Sequence, residues 1–237
     1  QEFWSALKEG KSGAGPITKF DASKFKTRFA CEIKDFDITN FLDRKETRRY
    51  DIFAQYALVT ANEAIAQAEL NFDELNRNKI GVIWGSGNGG VKTFEENVTD
   101  YVNGDGTPRF NPYLIPKMIV DIAAGVISIK HGLRGVNYCP VSACASSTTA
   151  IIDAFNYIKW GKANVIIAGG SDMAITPSCI GGFNAAKALS TNNEEMNTAS
   201  RPFDETRDGF VMGEGAGALV LEEYEHAIAR GATILGE

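Results

Sequence analysis

Apolar residues recur along this chain with two periods, one helical and one strand-like, and segments of the two kinds alternate. Ahead of the clearest helical stretch, Asp43 and Glu46 stand at capping-box spacing. Behind them Tyr50, Phe53, Ala54, Ala57, Leu58, Ala61, Ala64, Ile65 and Ala68 fall on one face, which predicts a single helix headed by Asp43. Residues 80–84 form a short apolar run of buried-strand type, and residues 163–168, with Val165, Ile166 and Ile167, form another. A further strand is predicted over 218–221. Helical patterns cover residues 1–9 (Phe3, Trp4 and Leu7 on one face), 91–101, 118–130, 181–189 and 222–230. Near the middle, a strand-like pattern through Val136 and Tyr138 breaks at Pro140. A helix then starts at or just after Cys144 and runs to Trp160 on Ile151, Ile152, Phe155 and Ile158. Strands that are apolar throughout and alternate with helices predict an α/β layered fold with a mainly parallel sheet.

Glycine punctuates the ends of the strands. Residues 85–90 (Gly-Ser-Gly-Asn-Gly-Gly) follow the first apolar run, residues 169–172 are expected to close the second, and residues 213–217 precede the third. A glycine-rich turn after a strand can cradle phosphate. The 85–90 turn lacks the lysine of a P-loop and the spacing of a dinucleotide turn, so it reads as a tight turn where backbone approaches a neighbour or a ligand.

Composition narrows the function classes. A chain of 237 residues fits one large domain or two small ones. Its net charge of -6 argues against nucleic-acid binding, and no apolar run approaches the roughly 20 residues of a membrane-spanning helix. No signal peptide is read either, so no membrane partner is expected. The four cysteines, Cys31, Cys139, Cys144 and Cys179, have neither metal-site nor disulfide spacing; they read as reduced thiols of a cytoplasmic protein, and no metal is expected. The chain opens on Gln1 inside a helical pattern and stops at Glu237 as a strand pattern begins near Thr233, so a piece of a longer polypeptide is expected.

The candidate chemistry centres on Cys144. A thiol at a helix N-terminus sits where the macrodipole and unpaired N–H groups favour the thiolate form of a cysteine. The small residues around it, Ala143, Ala145 and Ser146, allow close approach of a thioester or another chain. The alternative is a buried cysteine packed as a small hydrophobe. A cysteine nucleophile ordinarily works with a base. The two histidines are poor candidates: His131 reads as a solvated residue at a helix end, and His226, within an acidic run, reads as part of an exposed helix face.

Four stretches carry a resemblance to a known family. Residues 141–147 (Val-Ser-Ala-Cys-Ala-Ser-Ser) with Gly135 upstream, residues 181–190, residues 199–217 and the helix headed by residues 43–49 all resemble β-ketoacyl-[acyl-carrier-protein] synthases. The resemblance covers the whole chain and is nearest to the elongating type II enzymes of fatty acid biosynthesis. It implies a thiolase-like fold, with this chain as the first half lacking its first strand plus the opening of the second half, the boundary falling near residue 225. It also implies that Cys144 accepts an acyl group from acyl-carrier protein. Decarboxylation of malonyl-carrier then gives a carbanion that attacks the Cys144 thioester. The cofactor expectation is none, because the phosphopantetheine arm belongs to the carrier. The Cys144 N–H is expected to form half of an oxyanion hole.

Other roles come over by position. Phe183 matches an aromatic gate beside the nucleophile, with a core phenylalanine as the alternative. Asn88 matches a position bordering the acyl pocket that is often aliphatic in the family, so an amide there departs from the pattern and puts long-chain preference in doubt. Lys45, Arg48, Arg49 and Lys187 match a basic patch that receives the acidic carrier, against the alternative of a solvated face. Residues 111–118 resemble a loop that reaches across a homodimer. The family's two decarboxylating histidines lie downstream of Glu237, which gives the expectation that these 237 residues alone do not condense. Rival readings are a type I synthase or polyketide ketosynthase, a chain-length-factor subunit (which typically lacks the cysteine), and a fragment that only binds carrier protein.

Overall fold

The computed structural model describes residues 2–237; Gln1, the first position of the predicted N-terminal helix, lies outside the described residues. In chain order the elements are α1 (Glu2–Lys8), β1 (Gly15–Pro16), β2 (Phe29–Ala30), α2 (Arg44–Arg49) and α3 (Ile52–Gln67). There follow β3 (Ile80–Gly85), α4 (Val91–Asn103), α5 (Leu114–Met118), α6 (Ile122–His131) and β4 (Asn137–Tyr138). The chain continues through α7 (Ser146–Lys159), β5 (Val165–Asp172), α8 (Pro177–Ala185), β6 (Gly215–Glu222) and α9 (Tyr224–Ala229). They form two compact units, one of Asp37–Met173 with Gly215–Glu237 and one of Gln1–Phe36 with Ala174–Glu214.

The larger unit is built on a four-stranded sheet in the order β4-β3-β5-β6. The β3–β4 and β3–β5 pairs are parallel and β5–β6 is antiparallel, so the sheet is mixed. Both central strands are buried along almost their whole length, which requires cover on both faces. On one face α7 packs Ala150 and Ala154 against Ile83, Ile166 and Ala168. The other face carries Val82, Trp84, Val165 and Ile167, and there α3 and α6 pack on each other and on the sheet.

The smaller unit pairs β1 with β2 antiparallel, Gly15 opposite Ala30. Its core joins Ile17, Ile175, Ile180, Leu189 and Met212. The Glu214 side chain is fully buried in this unit, accepting from the Ile33 amide at 2.8 Å and pairing with Lys19 at 3.0 Å.

Several boundaries differ from the sequence expectation, each for a local reason. The single helix expected from Asp43 is two. The Asp43–Glu46 capping box does start α2, but Tyr50 turns extended (φ -114°, ψ 144°) and Asp51 caps α3 afresh through the Phe53 amide. The helix expected over 181–189 begins earlier, because Thr176 caps it and Pro177 fits its first turn; it ends at Ala185, and Lys187 is left-handed at φ 56°. The expected loop 111–118 contains α5, and the helix expected from Met118 starts only at Ile122. Residues 169–172 are strand rather than a closing turn. Gly169 lies so close to β6 that a Cβ there would stand 2.1 Å from the Gly217 carbonyl oxygen, an approach only glycine permits. Residues 232–237 form no strand.

Candidate active site

β3 ends at Gly85, opposite Gly170, two residues before the carboxyl end of β5. Neither has a side chain, and the start of α7 rests on both. A Cβ on Gly85 would lie 2.4 Å from the Ser146 carbonyl carbon, and one on Gly170 would lie 2.0 Å from Ser147 Oγ. Bare backbone at these two positions therefore sets how closely the helix head approaches the strand ends, the region where α/β sheets hold their ligands.

Cys144 stands at that head, in a 3₁₀ turn (Ala143–Ala145) that leads directly into α7. The thiol is exposed, which removes the alternative of a buried hydrophobe. Its turn is held from within. The buried Ser146 hydroxyl donates to the Ala143 carbonyl at 2.8 Å and accepts from the Ser142 amide at 2.9 Å. Ser142 Oγ meets Thr149 Oγ1 at 2.7 Å, and Ala143 takes a left-handed φ of 51°, unusual for a residue with a side chain. The other cysteines are half-buried. Burial pushes the Cys31 and Cys139 thiols above their ordinary value, the nearby Lys34 partly offsetting this for Cys31, whereas Asp121 and Asp172 add to it for Cys139.

The glycine-rich turn at 85–90 lies alongside. A Cβ on Gly87 would be 3.4 Å from the Ala143 carbonyl oxygen, so this turn runs beside the cysteine turn. Its amides are already taken. Asp172, the last residue of β5, accepts from the Gly87 and Asn88 amides at 2.9 Å each, from Ser86 Oγ at 3.2 Å and from Asn88 Nδ2 at 3.3 Å. Gly89 N donates to Ser86 Oγ and Gly90 N to the Met118 carbonyl. The donors that would hold a phosphate are thus bound within the protein, and the tight-turn reading is the one the structure bears out. Asn88 itself is exposed. Neither Asp172 nor Ser146 was singled out by sequence reasoning. An acidic residue directly after Gly-Gly-Ser at the end of an apolar strand was the signal available for Asp172.

Of the positions expected to act, Cys144 and Asn88 lie on these two neighbouring turns, in the larger unit. Lys45 and Arg48 are exposed on α2 in the same unit, while Arg49 is half-buried with its guanidinium 5.8 Å from the centre of the Tyr113 ring. Beside α2, a cleft of about 290 Å³ is lined by Lys45, Glu46, Arg49 and Lys130 among others, and Lys130 pairs with Glu46 at 2.6 Å. Phe183 and Lys187 belong to the smaller unit. There Phe183 packs edge-on against Phe210 at 5.3 Å and Lys187 is exposed just beyond α8. The histidines are not the solvated residues expected. His131 is half-buried, bonded to Asn62 at 2.9 Å and packed on the Phe72 ring, and His226 Nδ1 meets Glu222 at 2.5 Å. Neither hydrogen bond runs to Cys144. Among the described residues no cluster of potential metal ligands occurs, and no helix is long and apolar enough to cross a membrane.

With this geometry in hand, residues 1–227 match the family model described as the N-terminal domain of beta-ketoacyl synthase. The chain belongs to the beta-ketoacyl synthase family. Its relatives include the 3-oxoacyl-[acyl-carrier-protein] synthase 2 of a Synechocystis species, 49% identical over 237 residues, which are all of this chain and 57% of that protein. The chain therefore spans little more than half the length of the curated relatives it matches. Among solved structures, a beta-ketoacyl synthase from Burkholderia phymatum superposes with a TM-score of 0.87 at 35% identity, over 98% of this chain and 57% of that one. The fold is thus the thiolase-like one of the ketosynthases. A second structure holds the acyl-carrier protein of a type II polyketide synthase in complex with its ketosynthase, bound to the hexaketide. Its similarity to this chain has a TM-score of 0.73 at 26% identity, covering 85% of this chain and 55% of that one.

Proposed function

We propose that the protein is a 3-oxoacyl-[acyl-carrier-protein] synthase of fatty acid biosynthesis and that Cys144 is its acyl acceptor. The observation that carries this reading is the exposed Cys144 thiol in a braced turn at the head of α7, inside a chain that matches the family over residues 1–227. In the first stage the Cys144 thiolate attacks the thioester carbonyl carbon of acyl-carrier. The bond from that carbon to the pantetheine sulfur breaks, and the carrier leaves as the free thiol once protonated. The Cys144 N–H, at a helix start, helps hold the oxyanion that forms on the carbonyl oxygen. Malonyl-carrier loses CO₂ in the second stage, a step that the reading does not assign to these 237 residues alone. The electron pair of the broken bond attacks the acyl carbon, the C–S bond to Cys144 breaks, and the thiolate is regenerated beside a 3-oxoacyl-carrier two carbons longer.

His131 and His226 are engaged by Asn62 and Glu222, so the reading gives neither of them the decarboxylating role. The carrier brings its own phosphopantetheine, and no other cofactor or metal enters the scheme. Lys45, Arg48 and Arg49 receive the acidic carrier and Asn88 borders the acyl chain; for Phe183 and Lys187 the gating and carrier-binding roles rest on the family resemblance alone. A cytoplasmic homodimer completes the reading, supported by the apolar side chains Ile152 and Phe155 that α7 leaves exposed. The test is release of free carrier. Incubation with acyl-carrier thioester is expected to liberate one carrier thiol per chain in a burst that Cys144→Ala abolishes, and equal release from both proteins would contradict the assignment.

A further inference from the structure

The pair Asn-Gly occurs twice in the chain, at 88–89 and at 103–104, and the fold treats the two differently. In such a pair the side-chain amide lies open to attack by the next backbone nitrogen, because glycine has no side chain to hinder the approach. Both asparagines are exposed, so exposure does not separate them. The backbone does. At 88–89 the attacking residue, Gly89, is buried, and its N–H donates to Ser86 Oγ at 3.0 Å. The amide it would attack is held as well, Asn88 Nδ2 donating to Asp172 at 3.3 Å. At 103–104 the attacking residue, Gly104, is exposed just past the end of α4. Its N–H reaches the Tyr101 carbonyl at 3.4 Å, a long bond at a helix end, where helices fray. Among the described residues nothing hydrogen-bonds to the Asn103 side chain. Every residue of the run 101–110 is exposed.

We propose that Asn103-Gly104 is a site of spontaneous deamidation, with water as co-reactant, and that the fold protects Asn88-Gly89 from the same chemistry. The Gly104 nitrogen gives up its proton to base and attacks Asn103 Cγ. The new C–N bond closes a cyclic imide, and the side-chain nitrogen takes a proton and leaves as ammonia. Water then adds at either carbonyl of the imide and breaks that C–N bond, giving aspartate or isoaspartate. Both products place a carboxylate at the C-terminal end of α4, where the macrodipole disfavours negative charge. They also add a negative charge to a chain whose net charge is already -6. Isoaspartate further inserts a carbon into the main chain, which parts Gly104 from Tyr101 and loosens the exposed run from the helix. The 85–90 turn beside Cys144 keeps its amide.

The experiment ages the intact protein in mildly alkaline buffer, with a parallel sample unfolded in guanidinium chloride, and follows tryptic peptides by mass spectrometry. Residues 80–92 report on Asn88 and residues 93–109 on Asn103. The second peptide also carries Asn97 as an internal control, since its amide is held by the Thr93 carbonyl and the Asn111 N–H. In the folded protein Asn103 is expected to convert to aspartate and isoaspartate. Asn88 must wait on a local opening that breaks its bonds, so it should lag by at least about tenfold. In guanidinium the two rates should converge. Conversion at Asn88 as fast as at Asn103 in the folded protein, or an Asn103 that stays an amide, overturns the inference. A tenfold gap that persists in the unfolded chain overturns it too, because neighbouring sequence rather than the fold would then set the rates.

Discussion

Two glycines and a serine set the position of the thiol. Gly85 and Gly170 let the head of α7 lie on bare backbone, and Ser146 ties the Cys144 turn to itself on both sides. An alanine at 85 would have to displace main chain rather than a flexible side chain. Gly85→Ala is therefore expected to lower stability by about 3 kcal/mol, the upper range for overpacking a filled interior, as a denaturation midpoint would read. Ser146→Ala removes one hydroxyl that donates and accepts in a buried place and is expected to cost about 1–2 kcal/mol. If either variant left both the midpoint and the alkylation rate of Cys144 unaltered, the bracing described above would be wrong. At this scale the sequence was uneven. Cys144 was legible from its small neighbours and the helix that follows it. Asp172 and Ser146 were not, because their worth lies in partners 84 to 86 residues away for Asp172, or in a turn geometry that no periodicity encodes.

Elements were legible where one side-chain pattern persisted and misread where a cap or a backbone contact overruled it. The apolar stripe of α3 was plain, yet Asp51 restarted the helix inside what looked like continuous periodicity. The length of β5 depended on glycines pressed against β6, which a sequence reads as a turn. Two predictions belong here. At the end of α6, burial and the nearby Lys130 and Arg77 charges hold the His131 imidazole below its ordinary value of 6.5. Its charged form is then favoured in the unfolded chain, so this contribution to stability is whole above about pH 6.5 and is lost as pH falls toward the lower folded value. His131→Gln should flatten the decline of melting temperature between about pH 7 and 5, and an unchanged decline would place the acid sensitivity elsewhere. On α2, Lys45→Glu with Arg48→Glu should raise the carrier KM about fivefold at low salt, less at high salt. The helix itself should survive, since its cap is Asp43 and neither variant touches it. A KM indifferent to both changes would return this run to a plain solvated face.

For the molecule as a whole, the fold class and the family were legible in the sequence, because four motifs spread from residue 43 to residue 217 agree with one architecture and the 141–147 motif then rests on the strand ends. The antiparallel β6 at the sheet's edge was less so, as an apolar strand looks the same in either direction. The central claim is that acyl transfer ends on the exposed thiol at the head of α7 and on no other cysteine. Tandem mass spectrometry of tryptic peptides, after incubation with a dodecanoyl-carrier thioester, tests it most directly. The peptide covering residues 135–159 contains both Cys139 and Cys144, so fragment ions must separate them. The account predicts one acyl group per chain, on Cys144 alone. An acyl group on Cys139, on Cys31 or Cys179, or on no cysteine at all would contradict it.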